Sequence, residues 1–193
     1  MPEEIQQLSQ RCCTHVQNRL DFKLDYTIET LSVLDHHLEQ VVKEECRGIL
    51  PPGGDKRRVP LIHLLSPTFG AYFGAVMARE FDARWSYTNL PPVQWRLDFN
   101  NFFLRFNPAG IAAEVIMQDK VETWGGNFVT APPLQQHLLE RFKAAPPVLE
   151  DQFFTFTSCH EVIQIAEEYL RERAQKDGPV GCTAKDYDNI LGK

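Results

Sequence analysis

The chain has 193 residues, 43% of them hydrophobic, and a formal net charge of -6 at pH 7. A chain of ~100–200 residues commonly forms one domain, and this apolar content excludes a wholly disordered protein. The negative charge argues against binding to nucleic-acid backbones, because that function needs clustered lysine and arginine. We therefore expect a globular domain that binds no nucleic acid.

The cysteines indicate a reducing compartment. Five are present, Cys12 and Cys13 are adjacent, and no Cys-x-x-Cys spacing occurs. This pattern favours reduced thiols over a disulfide framework or a structural zinc site. The N-terminal residues are polar and acidic, so no secretory signal is visible. We expect a cytoplasmic protein without a metal ion or another cofactor.

The first two segments have the apolar spacing of amphipathic helices. One narrow apolar stripe over residues 2–20 predicts a surface helix, and a second helix is predicted from Ile28 to about Cys46. A loop rich in glycine and proline is predicted over residues 46–60. Its basic run, Asp55–Arg58, is interpreted as solvated rather than as a patch for an anionic ligand or a membrane surface.

The next segment, from Val59 to Ala78, carries no formal charge. Its length is enough to cross a bilayer. However, Ser66 followed by Pro67 is typical of a helix start. The roughly fifteen residues from there to Phe81 are too few to span ~30 Å at ~1.5 Å per residue. We therefore predict no membrane span.

The same segment predicts a core helix instead. On a helical wheel Phe69 and Phe73 lie in one arc, and Gly70 and Gly74 lie in the arc beside it. Neither arc is polar, so the helix is expected to have neighbours on several sides. The small residues predict that one of these neighbours approaches closely.

Runs of aromatic and β-favouring residues, separated by turn residues, follow this helix. They predict three strands of an antiparallel meander, Arg84–Thr88, Val93–Phe99 and Phe102–Phe106. Asn107 and Pro108 are typical of a helix cap and a first helical turn, so a helix is expected directly after the last strand.

The remaining third of the chain has weaker signals. The proline pair at 132–133 predicts the start of a further helix. Residues 151–157 predict a strand, and Ser158 with Glu161 matches a capping box that opens another helix. Residues 176–193 show little periodicity and predict an extended or mobile tail.

Together these elements predict the α+β fold class. A small antiparallel sheet is expected to be packed by several helices, with the nearly all-apolar helix at the centre. Residues 1–175 are predicted to form a single domain of this class.

Two charges, Arg79 and Glu80, interrupt the apolar helix at its last turn. Glu80 projects toward the aromatic arc, so its carboxylate is expected to need an arginine partner: Arg79, Arg84 or Arg96. One interpretation is an ion pair that closes the end of the core helix. The alternative is a ligand-binding pocket of a carboxylate and arginines, edged by tryptophans. The candidate binding residues are Arg79, Glu80, Arg84, Trp85 and Trp95.

Two further groups of side chains are candidates for chemistry. Asp35 or His36 could share a helix face with Glu39 and bind a metal ion, but no third ligand is identifiable. Cys159 lies at the start of a predicted helix, where the helix dipole favours the thiolate, and His160 follows it. Adjacent residues at a helix start usually diverge. No catalytic residue and no metal site is therefore assigned.

The sequence GAYFGAVMAREFDARW at residues 70–85 resembles a family of uncharacterised bacterial proteins, in which a G-A-Y-x-G-E-V-type helix leads into a G-x-W-type strand. Residues 24–38 and 153–170 are also similar to that family. This chain has Ala75 where the family pattern has a glutamate, and Asp82 where it has a glycine. The resemblance implies an α+β fold with a helical surround, in a bacterial cytosol, and it implies no known activity.

These observations favour a non-catalytic interaction or accessory module that binds a protein partner. The reason is that the chain specifies a core well but shows no complete catalytic constellation. The alternative is a small-molecule-binding protein or an enzyme, with its pocket near Glu80, Arg84, Trp85 and Trp95.

Overall fold

The computed structural model describes residues 1–46, 56–86, 90–144, 152–177 and 183–190. The predicted α+β class is confirmed, because helices surround one antiparallel sheet. The helices are α1 (Glu3–Leu20), α2 (Leu31–Glu45), α3 (Val59–Phe81), α4 (Pro108–Met117), α5 (Pro132–Ala144), α6 (Phe156–Asp177) and α7 (Ala184–Ile190). The strands are β1 (Ala83–Ser86), β2 (Arg96–Phe99), β3 (Leu104–Phe106) and β4 (Val129–Thr130).

Helix α3 is the central element, as predicted, and it packs against α1, α4 and the sheet. Its residues from Phe69 to Met77 are all buried. The glycines allow the expected close approach. A Cβ atom at Gly70 would lie 2.5 Å from the Cα of Ala109 in α4, nearer than two carbon atoms can pack. The absence of a side chain at Gly70 therefore sets the distance between α3 and α4.

The predicted start of this helix at Pro67 is wrong. The helix begins at Val59, and Pro67 lies inside it. A proline there removes one helical hydrogen bond, but Leu61 and Ile62 in the preceding turns are buried. Burial of that apolar surface favours continued helix, because packing of a face outweighs local propensity.

A membrane span was excluded because the predicted helix was too short, and the observed helix is longer. By length and composition, the segment Lys56–Phe81 could cross a bilayer, with a mean hydropathy of 1.4 in its most apolar window. Of that window, 67% is buried inside the protein. A core helix passes the same test of length and composition, and the packing of α3 is that of a core helix.

The four strands form a meander in the order β1-β2-β3-β4, with each neighbouring pair antiparallel. The three predicted strands are present, but the second and third are shorter than predicted. Val93 and Gln94 lie in a short 3-10 helix, and β3 begins only at Leu104. The strand β4 was not predicted. Leu97 pairs with Phe106 in the β2–β3 register, and both are buried on the face toward α3. Asn107 then caps α4 as predicted, since its Oδ1 accepts a 2.9 Å hydrogen bond from the backbone N–H of Ala109.

Two predictions for the last part of the chain are wrong. Residues 152–155 form turns, not a strand, and α6 already begins at Phe156, so Ser158 lies inside the helix and not at its cap. The tail predicted as extended or mobile over residues 176–193 contains α7, and Tyr187 of that helix is fully buried against the sheet. One aromatic side chain docks a segment that has almost no apolar periodicity.

Some predicted features fall outside the described residues. They are most of the loop predicted over 46–60, the end of the first predicted strand, and Cys182.

Candidate functional site

The tryptophans of the predicted pocket belong to the core. Trp95 is fully buried, and its indole Nε1 donates a 3.1 Å hydrogen bond to the carbonyl of Leu90. Trp85 lies 6.1 Å from Trp95, ring centre to ring centre, in a perpendicular arrangement. The Trp85 ring also covers Gly74, where a Cβ atom would lie 2.4 Å from it. Both rings thus fill space beside α3.

The charged residues at the end of α3 are exposed. Arg79 donates a 3.3 Å hydrogen bond to the backbone carbonyl of Asp25. The predicted ion pair of Glu80 is wrong, because in the described part of the chain its carboxylate forms no salt bridge. The last turn of a helix lets this side chain reach water, so the carboxylate needs no arginine. Glu80 lies near the buried His160, whose pKa is lowered chiefly by burial.

Arg84 lies on the opposite face of the sheet from Trp85, because successive strand residues point to opposite sides. The five predicted binding residues are therefore spread over the end of α3 and both faces of β1. Two surface depressions of about 530 and 120 Å³ lie beside α1 and α2, and none of the five residues lines either of them.

Arg84 is the first member of a charged row that crosses the sheet. Arg84 pairs with Asp98 in the β1–β2 register, and Asp98 pairs with Arg105 in the β2–β3 register. Asp98 and Arg105 are 2% and 6% exposed. Their bond is bidentate, with Nε to Oδ1 at 2.9 Å and Nη2 to Oδ2 at 3.2 Å. The row thus holds two guanidinium groups and one carboxylate on the face of the sheet that points away from α3, which we call the outer face.

Tyr187 of α7 covers this row. Its ring centre lies 4.8 Å from the guanidinium carbon of Arg105 and 5.3 Å from that of Arg84, within the range of cation–π attraction. The ring stacks on Phe103 at 4.4 Å between centres, and Val129 packs against the same pair. Because this cluster is separate from the core around α3, α7 docks on the sheet without being part of that core.

The phenol oxygen of Tyr187 enters a socket of backbone groups in the β2–β3 hairpin. The N–H of Leu104 donates to it at 3.1 Å. The carbonyls of Phe99, Phe102 and Leu104 lie 2.9, 3.2 and 2.7 Å from it, as acceptors for the phenol hydrogen. A phenol carries one hydrogen, so it donates to one of these carbonyls at a time. The socket is therefore specific for a hydroxyl at the end of an aromatic ring.

Asp186 lies in the first turn of α7 and adds a negative charge near the row. Its Oδ2 accepts hydrogen bonds from the backbone N–H and the hydroxyl of Thr183, at 2.6 and 2.7 Å. These bonds, the Thr183 hydroxyl first, lower the pKa of Asp186, and the charge of Arg84 lowers it further. The residue before the docked tyrosine is thus a stable carboxylate.

Sequence reasoning missed Asp98, Arg105 and Tyr187. Strand alternation could have placed Asp98 and Arg105 on one face, had the register of the hairpin been known. Thr183 and Asp186 form a Thr-x-x-Asp pattern, and this pattern could have predicted the start of α7. Nothing in the sequence pairs Tyr187 with the hairpin, since the contact joins positions far apart in the chain.

The predicted metal candidates on α2 have structural contacts. Asp35 reaches the start of α6, where its Oδ1 accepts from the backbone N–H of Phe156 at 2.7 Å. Its Oδ2 accepts from the N–H and the hydroxyl of Thr157 at 3.1 and 2.7 Å. Burial raises the pKa of Asp35, and these hydrogen bonds oppose the rise. The described ranges contain no group of three side chains that could hold a metal ion.

His37 and Cys159 are also held in neutral forms. His37 is buried, and its Nε2 lies 3.2 Å from Nδ1 of His15. Burial, followed by the neighbouring His15, lowers the pKa of His37 to about 4. Burial raises the pKa of Cys159 to about 12. The thiolate expected from the helix dipole is therefore not favoured, because the loss of water around the sulfur outweighs the dipole.

Comparisons with protein-family models, with curated proteins and with solved structures find no match to this chain. The function is accordingly argued from the geometry of the outer face, and the family resemblance stays a prediction.

Proposed function

We propose that this protein is a non-catalytic interaction module of a bacterial cytosol, and that the outer face of its sheet is the recognition surface. One observation carries the proposal. The outer face holds a short helical segment, α7, and Tyr187 of that segment contacts two arginines and the β2–β3 hairpin. A surface that holds a chain segment in this way has the chemistry needed to hold a segment of another protein.

The groups that contact Tyr187 are those that dominate protein interfaces. Aromatic stacking on Phe103 supplies apolar contact, and the guanidinium groups supply cation–π attraction and charge. Tyrosine and arginine are the side chains that most often carry the binding energy of an interface. Backbone hydrogen bonds from the hairpin add specificity, because a side chain without a hydroxyl cannot form them.

The state of the cysteines supports the proposed compartment. Cys12, Cys13, Cys46 and Cys159 are free thiols in the described part of the chain. Free thiols are typical of proteins in a reducing cytosol.

Site-specific photo-crosslinking in cells tests the proposal. Ser86 follows Arg84 by two residues and therefore lies on the same face of β1. A photoreactive phenylalanine analogue at position 86 should form a discrete crosslink to a protein partner. The same analogue at Gln7, an exposed position on α1, is the matched control and should not form this product.

Binding of the partner should also depend on the charged row of Arg84, Asp98 and Arg105. Arg84→Glu reverses a charge at the edge of the outer face, and it should weaken the crosslink formed at position 86 by roughly tenfold. An unchanged crosslink in Arg84→Glu, or equal crosslinking from positions 86 and 7, contradicts the proposal.

A second candidate function is binding of a small molecule at the tryptophan pair. The indole Nε1 of Trp85 is buried and has no hydrogen-bond partner in the described part of the chain. A ligand acceptor that reached it would satisfy this donor. Ligand-observed NMR with a fragment library tests this function: hits should be lost in Trp85→Phe, and the absence of any such hit counts against it.

A further inference from the structure

Helix α7 resembles a ligand bound to the outer face more than a part of the core. It has seven residues, and among its described side chains, at positions 185–187 and 189, Tyr187 is the buried one. We propose that the outer face is a peptide-binding site for an acidic helical segment that carries a tyrosine, and that α7 is the chain's own copy of this ligand. A partner must then displace α7 to bind. This inference rests on the proposed function and names the class of partner.

The socket selects the tyrosine. Four backbone groups of the β2–β3 hairpin lie within 3.2 Å of the phenol oxygen, one as a donor and three as acceptors. A phenylalanine in the same place would form none of these bonds, and the N–H of Leu104 would keep only its 3.0 Å bond to the carbonyl of Phe102. Sites that hydrogen-bond a hydroxyl discriminate strongly against the analogue that lacks it. The ligand class is therefore defined by tyrosine and not by any aromatic residue.

The charges select the residues around the tyrosine. The row contributes two positive charges, from Arg84 and Arg105, and one negative charge, from Asp98. The sequence of α7 places aspartates at positions 186 and 188, on both sides of Tyr187. The charge of Arg84 acts on Asp186, since it lowers the pKa of that carboxyl. An acidic segment is thus complementary to this face, even though the whole chain is acidic.

The way α7 is docked allows it to leave. Phe103 and Tyr187, with Val129 and Ala131, form a small cluster apart from the large core around α3. The described residues of α7 contribute no side chain to the larger core, so their removal would open the small cluster alone. Segments with few buried contacts open at a small fraction of the free energy of global unfolding. A tethered ligand competes with a free one through its effective concentration, which is ~1 mM for short linkers in general.

Peptide binding to the full-length chain tests the inference. The probe is a fluorescein-labelled peptide of residues 183–190, TAKDYDNI, followed by fluorescence anisotropy. The full chain with Tyr187→Ala has an empty socket, and it should bind the probe at least about tenfold more tightly than the wild-type chain, whose own α7 competes. A probe with phenylalanine in place of tyrosine should bind this variant about tenfold or more weakly.

Charge gives an independent readout. Adding Arg84→Ser to the Tyr187→Ala chain should weaken binding of the probe about tenfold. Raising the salt concentration should weaken binding as well.

Several outcomes overturn the inference. They are no binding to Tyr187→Ala at about 1 mM, equal binding to this variant and the wild-type chain, or equal binding of the two probes. A Tyr187→Ala chain that does not fold also overturns it, because α7 would then be part of the fold and not a ligand. If the probe fails while the crosslink at position 86 persists, the proposed function stands and only the named partner class falls.

Discussion

The contact between Asp35 and the start of α6 gives the sharpest prediction for the fold. The carboxylate accepts three hydrogen bonds, from the backbone N–H groups of Phe156 and Thr157 and from the Thr157 hydroxyl. Those N–H groups have no partner inside the helix, because the first turn of any helix leaves its N–H groups unpaired. Asp35 therefore caps α6 from another helix and joins α2 to α6.

Replacement of this carboxylate should destabilise the protein by a defined amount. Loss of a helix cap costs about 0.5–2 kcal/mol, and a buried donor left unsatisfied costs about 1–3 kcal/mol. We expect Asp35→Ala to lower the free energy of unfolding by about 2–4 kcal/mol. Asp35→Asn keeps one acceptor and removes the buried charge, so its loss should be about 1–2 kcal/mol.

Urea denaturation followed by circular dichroism measures these losses. Glu39→Ala is the matched control, because Glu39 is an exposed carboxylate one turn further along α2. It should change the free energy of unfolding by less than about 0.5 kcal/mol. The reasoning is refuted if Asp35→Ala is as stable as the control.

The difference in stability between the wild-type chain and Asp35→Asn should depend on pH, and the direction of this dependence follows from the pKa of Asp35. Burial raises the pKa of Asp35 in the folded chain above its ordinary 3.8. The folded chain therefore binds the proton of Asp35 more tightly than the unfolded chain does. The resulting stabilisation is full at pH values below the pKa of Asp35 in the unfolded chain, and it is lost as the pH rises through the pKa in the folded chain. The advantage of the wild-type chain over Asp35→Asn should therefore be larger near pH 4 than at pH 7, and the opposite trend contradicts the assigned pKa shift.

Three further predictions concern α3 and the histidine pair. Gly74→Leu should lower the melting temperature by more than about 5 °C or prevent folding, because its side chain would overlap the ring of Trp85; a melting temperature within a couple of degrees of wild type contradicts the close packing. Glu80→Gln should leave the free energy of unfolding within about 0.5 kcal/mol, because this carboxylate is exposed and forms no salt bridge in the described part of the chain; a larger loss revives the ion pair. The ring protons of His37 should titrate with a midpoint of about 4 by NMR. Stability should then fall as the pH drops from 6.5 toward 4, since only the unfolded chain binds that proton; a midpoint near 6.5 refutes the assigned burial.

The local pattern of the sequence was sufficient for the elements that bury one continuous stripe or face. The glycines at 70 and 74 predicted the close neighbour of α3, and that neighbour is α4. The turn residues between the aromatic runs predicted the meander, and Asn107 predicted its own cap. Each of these signals acts within a few residues, so it can be read from the order of the residues.

Local signals gave wrong predictions where a contact with a distant residue decided the structure. Ser158 and Glu161 form a good capping box by sequence, but α6 starts at Phe156 because Asp35 lies 121 residues earlier and supplies the cap. Pro67 is a good first residue of a helix, but α3 extends back to Val59 because Leu61 and Ile62 in the turns before it are buried. A distant partner can stabilise a helix end that the local sequence does not mark.

The sequence by itself determined the α+β class, the central apolar helix and the acidic charge that argues against nucleic-acid binding, because composition and periodicity are properties of the chain alone. Only the tertiary structure decided that Arg84 and Trp85 serve opposite faces of the sheet and that Tyr187 closes the row of Arg84, Asp98 and Arg105. The physical reason is that a strand register and a docked side chain depend on contacts between residues far apart in sequence. Those contacts form only when the chain is folded.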